Sequence, residues 1–211
     1  MTGPGAVTVI WGSVSCDERR AAHDTLLRAA ADLSGGPADR IRLTYETGGR
    51  PRLTGPGSAL QVSISHSPGA RAVALSTEGP VGVDIEMLRP LPALRMARRW
   101  LGGEDADWLA SLPQRDRESA FFWLWTQKEA VGKANGRGLA HGGLTRLLPR
   151  PAPCPAEEIP PDAGLFPVLR ALPDGSGAAC AVLPTGPGPY VLAVATLRGE
   201  DTPIEVQRSD C

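Results

Sequence analysis

The sequence predicts an α+β protein made of two units of similar architecture, in each of which helix packs on antiparallel strands. Segments of alternating apolar and polar residues, typical of strands, occupy the first and the last part of the 211-residue chain. Helical patterns fill the part between them. Pro90 and Pro92 mark the change from strands to helices, so we place the boundary there, with units at residues 1–91 and 92–211.

The first unit opens with a strand pattern at residues 7–12 and a helical pattern at residues 17–33. The apolar residues of the helical pattern fall on one side, and the glycines and proline at 35–37 stop it. A second strand is predicted at residues 41–46. It is followed by a glycine turn and an extended segment at residues 50–53.

Three further strands of the first unit are predicted close together, at residues 62–65, 72–76 and 81–86. The connections between them, at residues 67–69 and 78–80, contain proline and glycine and are short enough for hairpins. We therefore expect each of these strands to pair with the next.

The second unit begins with three predicted helices, at residues 93–101, 104–112 and 115–135. The last helix is the longest and most apolar, and its core-facing residues are expected to be Phe121, Phe122, Leu124 and Trp125. Gly136 and Gly138 end it. A proline-rich segment at residues 149–161 predicts an irregular loop. Three strand patterns close the chain, at residues 165–172, 178–183 and 190–197.

Composition excludes several classes of protein. The formal net charge of -1 argues against a general nucleic-acid binder. The four cysteines are widely spaced, which predicts neither a zinc site nor a disulfide framework. No apolar stretch reaches the length of a membrane span, and the N-terminus lacks a signal pattern. We therefore expect a cytoplasmic protein with no membrane or nucleic-acid partner.

Positive charge is concentrated locally. Four arginines, at positions 40, 42, 50 and 52, lie close together in the first unit. Such a stretch on a nearly neutral protein fits a small polyanionic ligand, although ordinary surface arginine explains it equally well.

Lysine is rare in this chain and is confined to one segment. Of the 22 Lys and Arg residues only Lys128 and Lys133 are lysines, and both lie on the predicted helix at residues 115–135. Glu129 and Lys133 are four residues apart, so they share a helix face. Lys128 lies about 140° round the helix from Lys133, so the two cannot easily serve one phosphate. Lys128 either steadies the carboxylates of a metal site or faces solvent.

Two carboxylates lie on the predicted strand at residues 81–86. The period of two puts Asp84 and Glu86 on the same face of that strand. Together with Glu129, they could form a hard-oxygen site for Mg²⁺, which takes one or two carboxylates together with water and substrate phosphates. Asp84 and Glu86 alone would more often be a solvated strand edge, and it is the combination that favours a metal.

Four sequence blocks occur in one order between residues 49 and 139. They are Gly-Arg-Pro at 49–51, Ser-Ile-Ser-His-Ser at 63–67, Gly-Val-Asp-Ile-Glu at 82–86, and Trp-Thr-Gln-Lys-Glu-Ala-Val-Gly-Lys at 125–133 with Gly-Arg-Gly-Leu after it. Together they resemble the 4'-phosphopantetheinyl transferase superfamily, and in particular its surfactin-synthetase-activating (Sfp-type) branch.

The resemblance implies an enzyme, a holo-carrier-protein synthase with its active site in the cleft between the two units. Such an enzyme transfers the 4'-phosphopantetheine arm of coenzyme A to a serine of an acyl or peptidyl carrier protein and releases adenosine 3',5'-bisphosphate. It implies Mg²⁺ as the metal, with Mn²⁺ as a substitute, and a monomer. An alternative is a catalytically weak member that only binds coenzyme A or a carrier protein.

The resemblance also assigns residues. The metal would be held by Asp84, Glu86 and Glu129. Coenzyme A, including its 3'-phosphate, would contact Gly49, Arg50, Pro51, Ser65, His66 and Lys133. Glu129 is the candidate proton acceptor for the carrier serine, and Lys133 the candidate cation at the phosphates and proton donor to the departing nucleotide. For His66 and Arg50, a satisfied strand-end histidine and an ordinary turn cation are the alternatives.

The resemblance is weakest in the first helix. Asp24 stands near a position where a cation for the 3'-phosphate would be expected. The candidates that could replace that cation are Arg19, Arg20 and Arg28. For the helix carrying Arg95, Arg98 and Arg99, a solvated face is favoured over a docking site for an acidic carrier helix.

Overall fold

The computed structural model describes residues 7–15, 17–136, 143–148, 170–171, 177–185, 188–198 and 202–210. The helices in these ranges are α1 (Glu18–Ser34), α2 (Ala93–Trp100), α3 (Gly103–Ser111) and α4 (Arg117–Ala134). The strands are β1 (Val7–Ser13), β2 (Arg42–Tyr45), β3 (Pro51–Thr54), β4 (Gln61–Ser67), β5 (Ala70–Ser76), β6 (Val81–Met87), β7 (Arg170–Ala171), β8 (Gly177–Thr185), β9 (Gly188–Thr196) and β10 (Ile204–Arg208). The α+β class predicted from the sequence is confirmed.

Most predicted elements agree with the structure to within a few residues. The predictions for Gly138, for the loop at 149–161 and for most of the strand at 165–172 lie outside the described residues. None of the described helices is both long and apolar enough to cross a membrane.

The ends of α1 follow from its terminal residues. Asp17 precedes the helix, and its carboxylate accepts a hydrogen bond from the backbone N–H of Arg20 at 2.9 Å, as an N-terminal cap does. Gly35 follows the helix with φ of 65°, a left-handed conformation that glycine adopts without steric cost.

The first sheet has the strand order β10-β1-β5-β4. β5 is antiparallel to both β1 and β4, and the expected hairpin between β4 and β5 is confirmed. β10 lies parallel to β1 at the edge of the sheet and was not predicted from the sequence. β2 and β3 form a separate hairpin beside this sheet.

The second sheet is antiparallel, with the order β6-β9-β8-β7. The predicted hairpin between β5 and β6 is wrong. β5 already has β1 and β4 on its two edges, so β6 pairs with β9 instead. Each sheet therefore contains strands from both sides of residue 91. β6 belongs to the sheet of the second unit, and β10 belongs to that of the first. The boundary at residues 91 and 92 itself stays a prediction.

Three apolar clusters arrange the molecule in layers. The first lies between α1 and the first sheet and includes Leu26 and Val73. The second joins the two sheets, with Val9 on one and Ile85 on the other. The third packs α2, α3 and α4 against the opposite face of the second sheet. Since β5 is covered on both faces, all seven of its residues are buried.

Gly82 determines how closely α4 approaches β6. A Cβ atom at this position would collide with the backbone carbonyl oxygen of Ala130 and would lie 2.6 Å from the backbone nitrogen of Ala134. Only glycine therefore allows this contact without displacing the helix. The close approach brings Glu129 and Lys133 of α4 beside Asp84 of β6.

The structure gives Lys128 a role that neither interpretation of the sequence foresaw. Its side chain is fully buried and forms an ion pair with the buried Asp105 of α3. Its Nζ also donates to the carbonyl oxygens of Leu101 at 3.3 Å and Leu144 at 2.6 Å. Lys128 therefore neither faces solvent nor steadies the carboxylates of β6. It ties α4 to α3, to the end of α2 and to the segment after the helix.

We expect Lys128→Met to destabilise the protein by about 3–5 kcal/mol, because it leaves Asp105 as a buried carboxylate without its cation. Denaturant unfolding measures this loss. The double variant Lys128→Met with Asp105→Leu should recover part of it, since no buried charge remains. A double variant that loses the sum of the two single changes would contradict a direct pairing.

Candidate active site

The candidate site lies at a seam between the two sheets, where edge strand β4 runs beside edge strand β6. Three serine hydroxyls of β4 span this seam. The backbone N–H groups of Val83, Ile85 and Met87 donate to them at 3.0, 3.4 and 3.0 Å, the acceptors being Ser63, Ser65 and Ser67 in that order. Edge N–H groups that would otherwise be buried without a partner are satisfied in this way.

Lys133 closes the seam from the helix side. Its Nζ donates to the carbonyl oxygens of Val83 at 3.0 Å and Ile64 at 3.4 Å, so it contacts both strands. It also forms an ion pair of 2.7 Å with Asp84 Oδ1. The charge of Lys133 is thus directed at Asp84, one of the carboxylates predicted to hold a metal. Lys133 shares a face of the helix with Glu129, as the spacing of four residues predicted.

The three predicted metal-site carboxylates lie close enough together to affect one another. Burial, and next the charge of Asp84, raises the pKa of Glu129 from 4.5 to about 7. Burial and Asp84 also raise the pKa of Glu86 above its ordinary value. Repulsion between carboxylates in a partly buried place is relieved by a cation. Asp84, Glu86 and Glu129 are therefore the side chains that could hold one.

The two carboxylates of β6 are held in different ways. Asp84 Oδ1 accepts from Lys133 and, at 2.7 Å, from Ser65 Oγ, while the buried Oδ2 has no hydrogen-bond partner among the described residues. Glu86 Oε2 accepts from Ser67 Oγ at 3.2 Å and from Arg89 at 3.4 Å. Among the described residues, no three His, Cys, Asp or Glu side chains form a ready-made metal cluster.

All six residues predicted to contact coenzyme A line one groove of about 370 Å³. They are Gly49, Arg50, Pro51, Ser65, His66 and Lys133. The turn before β3 places Gly49 with φ of 81°, a left-handed conformation suited to glycine. Lys133 and Ser65, which line the groove, also contact Asp84, so the groove adjoins this carboxylate.

Arg50 is directed into this groove across the end of α4. A Cβ atom on Gly136, just after the helix, would lie 2.9 Å from Arg50 Nη1. Arg50 Nη2 is buried and has no hydrogen-bond partner within the described part of the chain. Burial, and next the charge of Arg52, lowers the pKa of Arg50 below its ordinary value. An anionic ligand would give Arg50 Nη2 a hydrogen-bond partner and would stabilise the positive charge of Arg50.

The far end of the groove adds residues that the sequence singled out only in part. Arg19, one of three candidates on the first helix, lines it together with His23 and Tyr45. The Tyr45 hydroxyl and His23 Nε2 lie within hydrogen-bond distance, at 2.8 Å. The other two candidates contact Asp24 instead: Arg20 through an ion pair of 3.8 Å, and Arg28 at the backbone oxygen.

Sequence reasoning missed Ser63, Ser67 and Tyr45. The alternation of serines at 63, 65 and 67 was visible and would have placed all three on one face of the strand. No sequence signal marked Tyr45, because its position beside His23 depends on how the β2–β3 hairpin lies against α1. Trp125 stacks on Phe121 with ring centroids 5.8 Å apart and packs against the core, as predicted.

The part of the chain that carries β6 and α4 is similar to known proteins. Residues 80–160, which contain β6 and α4, match the family model described as the 4'-phosphopantetheinyl transferase superfamily. The putative 4'-phosphopantetheinyl transferase slr0495 of Synechocystis sp. is 35% identical over 112 residues, which are 52% of this chain and 45% of that protein. The 4'-phosphopantetheinyl transferase HetI of Nostoc sp. is 35% identical over 104 residues, 48% and 44% of the two chains.

A third relative, the 4'-phosphopantetheinyl transferase psf-1 of Bacillus pumilus, is 34% identical over 106 residues, 50% of this chain and 44% of its own. The chain thus spans just under half the length of the curated relatives it matches. Over about half of its length, the chain is therefore similar to proteins of the 4'-phosphopantetheinyl transferase superfamily.

The raised pKa of Glu129 predicts how stability depends on pH. A folded-state pKa of about 7, above the ordinary value of 4.5, means that the ionised carboxylate destabilises the folded protein. This cost is complete above about pH 7 and disappears as the pH falls towards 4.5. We therefore expect Glu129→Gln, with EDTA present, to stabilise the protein at about pH 8, and the gain to shrink steadily on acidification.

Denaturant unfolding across this pH range measures the gain. The exposed Glu118, on the first turn of the same helix, provides the matched control, and Glu118→Gln should bring no gain at high pH. A constant gain for Glu129→Gln at all pH values would show that the carboxylate of Glu129 is not under this electrostatic pressure.

Proposed function

We propose that this protein is a Mg²⁺-dependent 4'-phosphopantetheinyl transferase of the Sfp-type branch. It transfers the 4'-phosphopantetheine arm of coenzyme A to a serine of an acyl or peptidyl carrier protein and releases adenosine 3',5'-bisphosphate. The observation that carries this proposal is that a groove lined by cationic side chains reaches Lys133 and Ser65, which contact Asp84, and that Asp84 and Glu86 lie near enough to Glu129 to raise its pKa.

The groove suits a ligand with several phosphates. Arg19, Arg50, His66 and Lys133 line it, and they can donate to phosphate oxygens along its length. Arg50 has a buried N–H group with no partner in the described ranges, as expected for a group that serves a ligand. The 3'-phosphate of coenzyme A is the acceptor that we assign to Arg50 and His66.

The carboxylates suit a Mg²⁺ ion. The buried Asp84 Oδ2 receives no hydrogen bond from the residues that the structure describes, and a hard cation would take the place of a donor. Because Mg²⁺ takes few carboxylates together with substrate phosphates, the site does not need a complete protein cage. Asp84, Glu86 and Glu129 would hold the ion, or Mn²⁺ in its place. The bound ion would supply positive charge to the pyrophosphate of coenzyme A.

Glu129 and Lys133 are assigned the protein's part in the reaction. The carrier serine Oγ bonds to the phosphorus next to the pantetheine arm, and the bond from that phosphorus to the bridging oxygen of the pyrophosphate breaks. Glu129 is the assigned acceptor of the serine proton, directly or through a metal-bound water. Lys133 stabilises the negative charge that develops on the leaving adenosine 3',5'-bisphosphate and can donate a proton to it.

Both sheets that form the seam belong to one chain, which supports a monomer with one site per chain. It also supports the Sfp-type branch. Carrier protein and coenzyme A are then the partners of a single cleft.

The direct test is to incubate the protein with coenzyme A, Mg²⁺ and an apo carrier protein and to weigh the carrier by mass spectrometry. The carrier should gain one phosphopantetheine group, and EDTA should abolish the gain. Glu129→Gln should lower turnover by about 100-fold or more, as expected for loss of a positioned base, while keeping most of the coenzyme A affinity. Coenzyme A binding without a mass gain on fatty acid, polyketide or peptide carriers would favour the alternative of a catalytically weak member.

A second prediction tests the contact with the 3'-phosphate. Arg50→Ala should weaken coenzyme A binding by about 10–100-fold, because a charged hydrogen bond is lost. It should leave the binding of 3'-dephospho-coenzyme A nearly unchanged, since that ligand lacks the group. Isothermal titration calorimetry of both ligands measures the difference. Equal losses for the two ligands would exclude the 3'-phosphate as the partner of Arg50.

A further inference from the structure

The serines at 63, 65 and 67, here called the serine ladder, are more than a link between the strands. Each accepts a backbone N–H of β6. Two of them also donate to a carboxylate on the same strand: Ser65 to Asp84 Oδ1 at 2.7 Å and Ser67 to Glu86 Oε2 at 3.2 Å. The hydroxyls of Ser65 and Ser67 therefore contact both the main chain and a side chain of β6.

A serine hydroxyl has a single proton to donate. When a backbone N–H occupies one of its lone pairs, the hydroxyl oxygen is held at a defined place relative to β6. The hydroxyl can then donate its proton to a carboxylate of a β6 residue. Ser65 and Ser67 are both buried, so water does not compete freely for their protons.

At Asp84 this arrangement decides which oxygen is available. Ser65 and Lys133 both donate to Oδ1, whereas no described residue is a hydrogen-bond partner of the buried Oδ2. Without the Ser65 proton, rotation of the carboxylate would let either oxygen turn towards Lys133. With it, Oδ2 is the oxygen presented to a ligand.

We propose that Ser65 and Ser67 are positioning residues, which orient the carboxylates of Asp84 and Glu86 for a divalent cation by hydrogen bonds anchored on the backbone of β6. This inference rests on the proposed function, because it assumes that these carboxylates hold the metal. It assigns Ser65 a role in addition to its place in the groove, and it brings Ser67 into the site.

The serine ladder contains its own control. Ser63 accepts the N–H of Val83 just as Ser65 accepts that of Ile85, but the residue before Val83 is Gly82, which has no side chain. Ser63→Ala therefore removes a link of the seam without releasing a carboxylate. Ser65→Ala removes the same kind of link and releases Asp84.

The experiment titrates the protein with Mn²⁺ alone and measures free Mn²⁺ by electron paramagnetic resonance. Coenzyme A is left out, because Ser63 and Ser65 also line its groove. We expect Ser65→Ala and Ser67→Ala to weaken Mn²⁺ binding by about 10–100-fold, the usual effect of losing a group that orients a ligand. Ser63→Ala should stay close to the wild-type affinity, and Ser67→Thr, which keeps a hydroxyl, should restore most of the loss.

The outcomes separate the two proposals. If wild type binds Mn²⁺ and all three alanine variants weaken it equally, the serine ladder is only structural, and the positioning role is overturned while the metal site stands. If wild type binds no Mn²⁺, both the metal site and the positioning role fail. Denaturant unfolding of each variant identifies any that does not fold, and the pair Ser67→Ala and Ser67→Thr then decides the question.

Discussion

The contact between Lys133 and the two edge strands is the interaction on which the candidate site depends. One ammonium group reaches carbonyl oxygens of β4 and β6 and the carboxylate of Asp84, so it holds together strands that belong to different sheets. That contact is possible because Gly82 lets α4 lie directly against β6. A larger residue at position 82 would push the helix away and separate Glu129 and Lys133 from Asp84. The close approach of α4 to β6 therefore determines both the contacts across the seam and the electrostatics of the site.

The two lysines illustrate how position on one helix decides the role of a charge. Lys128 lies on the side of α4 that faces α3 and the end of α2. It is fully buried and is paired with Asp105 and two carbonyl oxygens. Lys133 points to the seam, is about a quarter exposed, and keeps its charge beside a groove that a ligand can enter. A buried and completely paired cation contributes to structure, whereas a partly exposed one beside carboxylates can respond to substrate. Arginine, with its larger planar group, would fit poorly in either place.

Local patterns were sufficient for most elements and for the two pairs of charged residues at the site. The period of two placed Asp84 and Glu86 on one face, the period of 3.6 placed Glu129 and Lys133 on another, and the structure brings both pairs together. The same reasoning failed where a strand's partner is distant in sequence. β6 was expected beside β5, but its neighbour is β9, and β10 was missed although it pairs with β1. Strand pairing is decided by which sheet edges remain open, and a local pattern carries no information about open edges.

Residue types and their spacing by themselves determined the helices, most strands and the grouping of Asp84 with Glu86 and of Glu129 with Lys133, because these depend on periodicity and on chemistry carried by single side chains. The six groove residues were expected only from the resemblance to a known family. Only the tertiary structure decided that Lys128 is buried against Asp105, that Ser65 and Ser67 hold the carboxylates of β6, and that the groove meets those carboxylates at a seam between two sheets. Each of these depends on contacts between segments far apart in the chain. Such contacts are selected by packing and by the need to satisfy buried polar groups, which act only once the chain has folded.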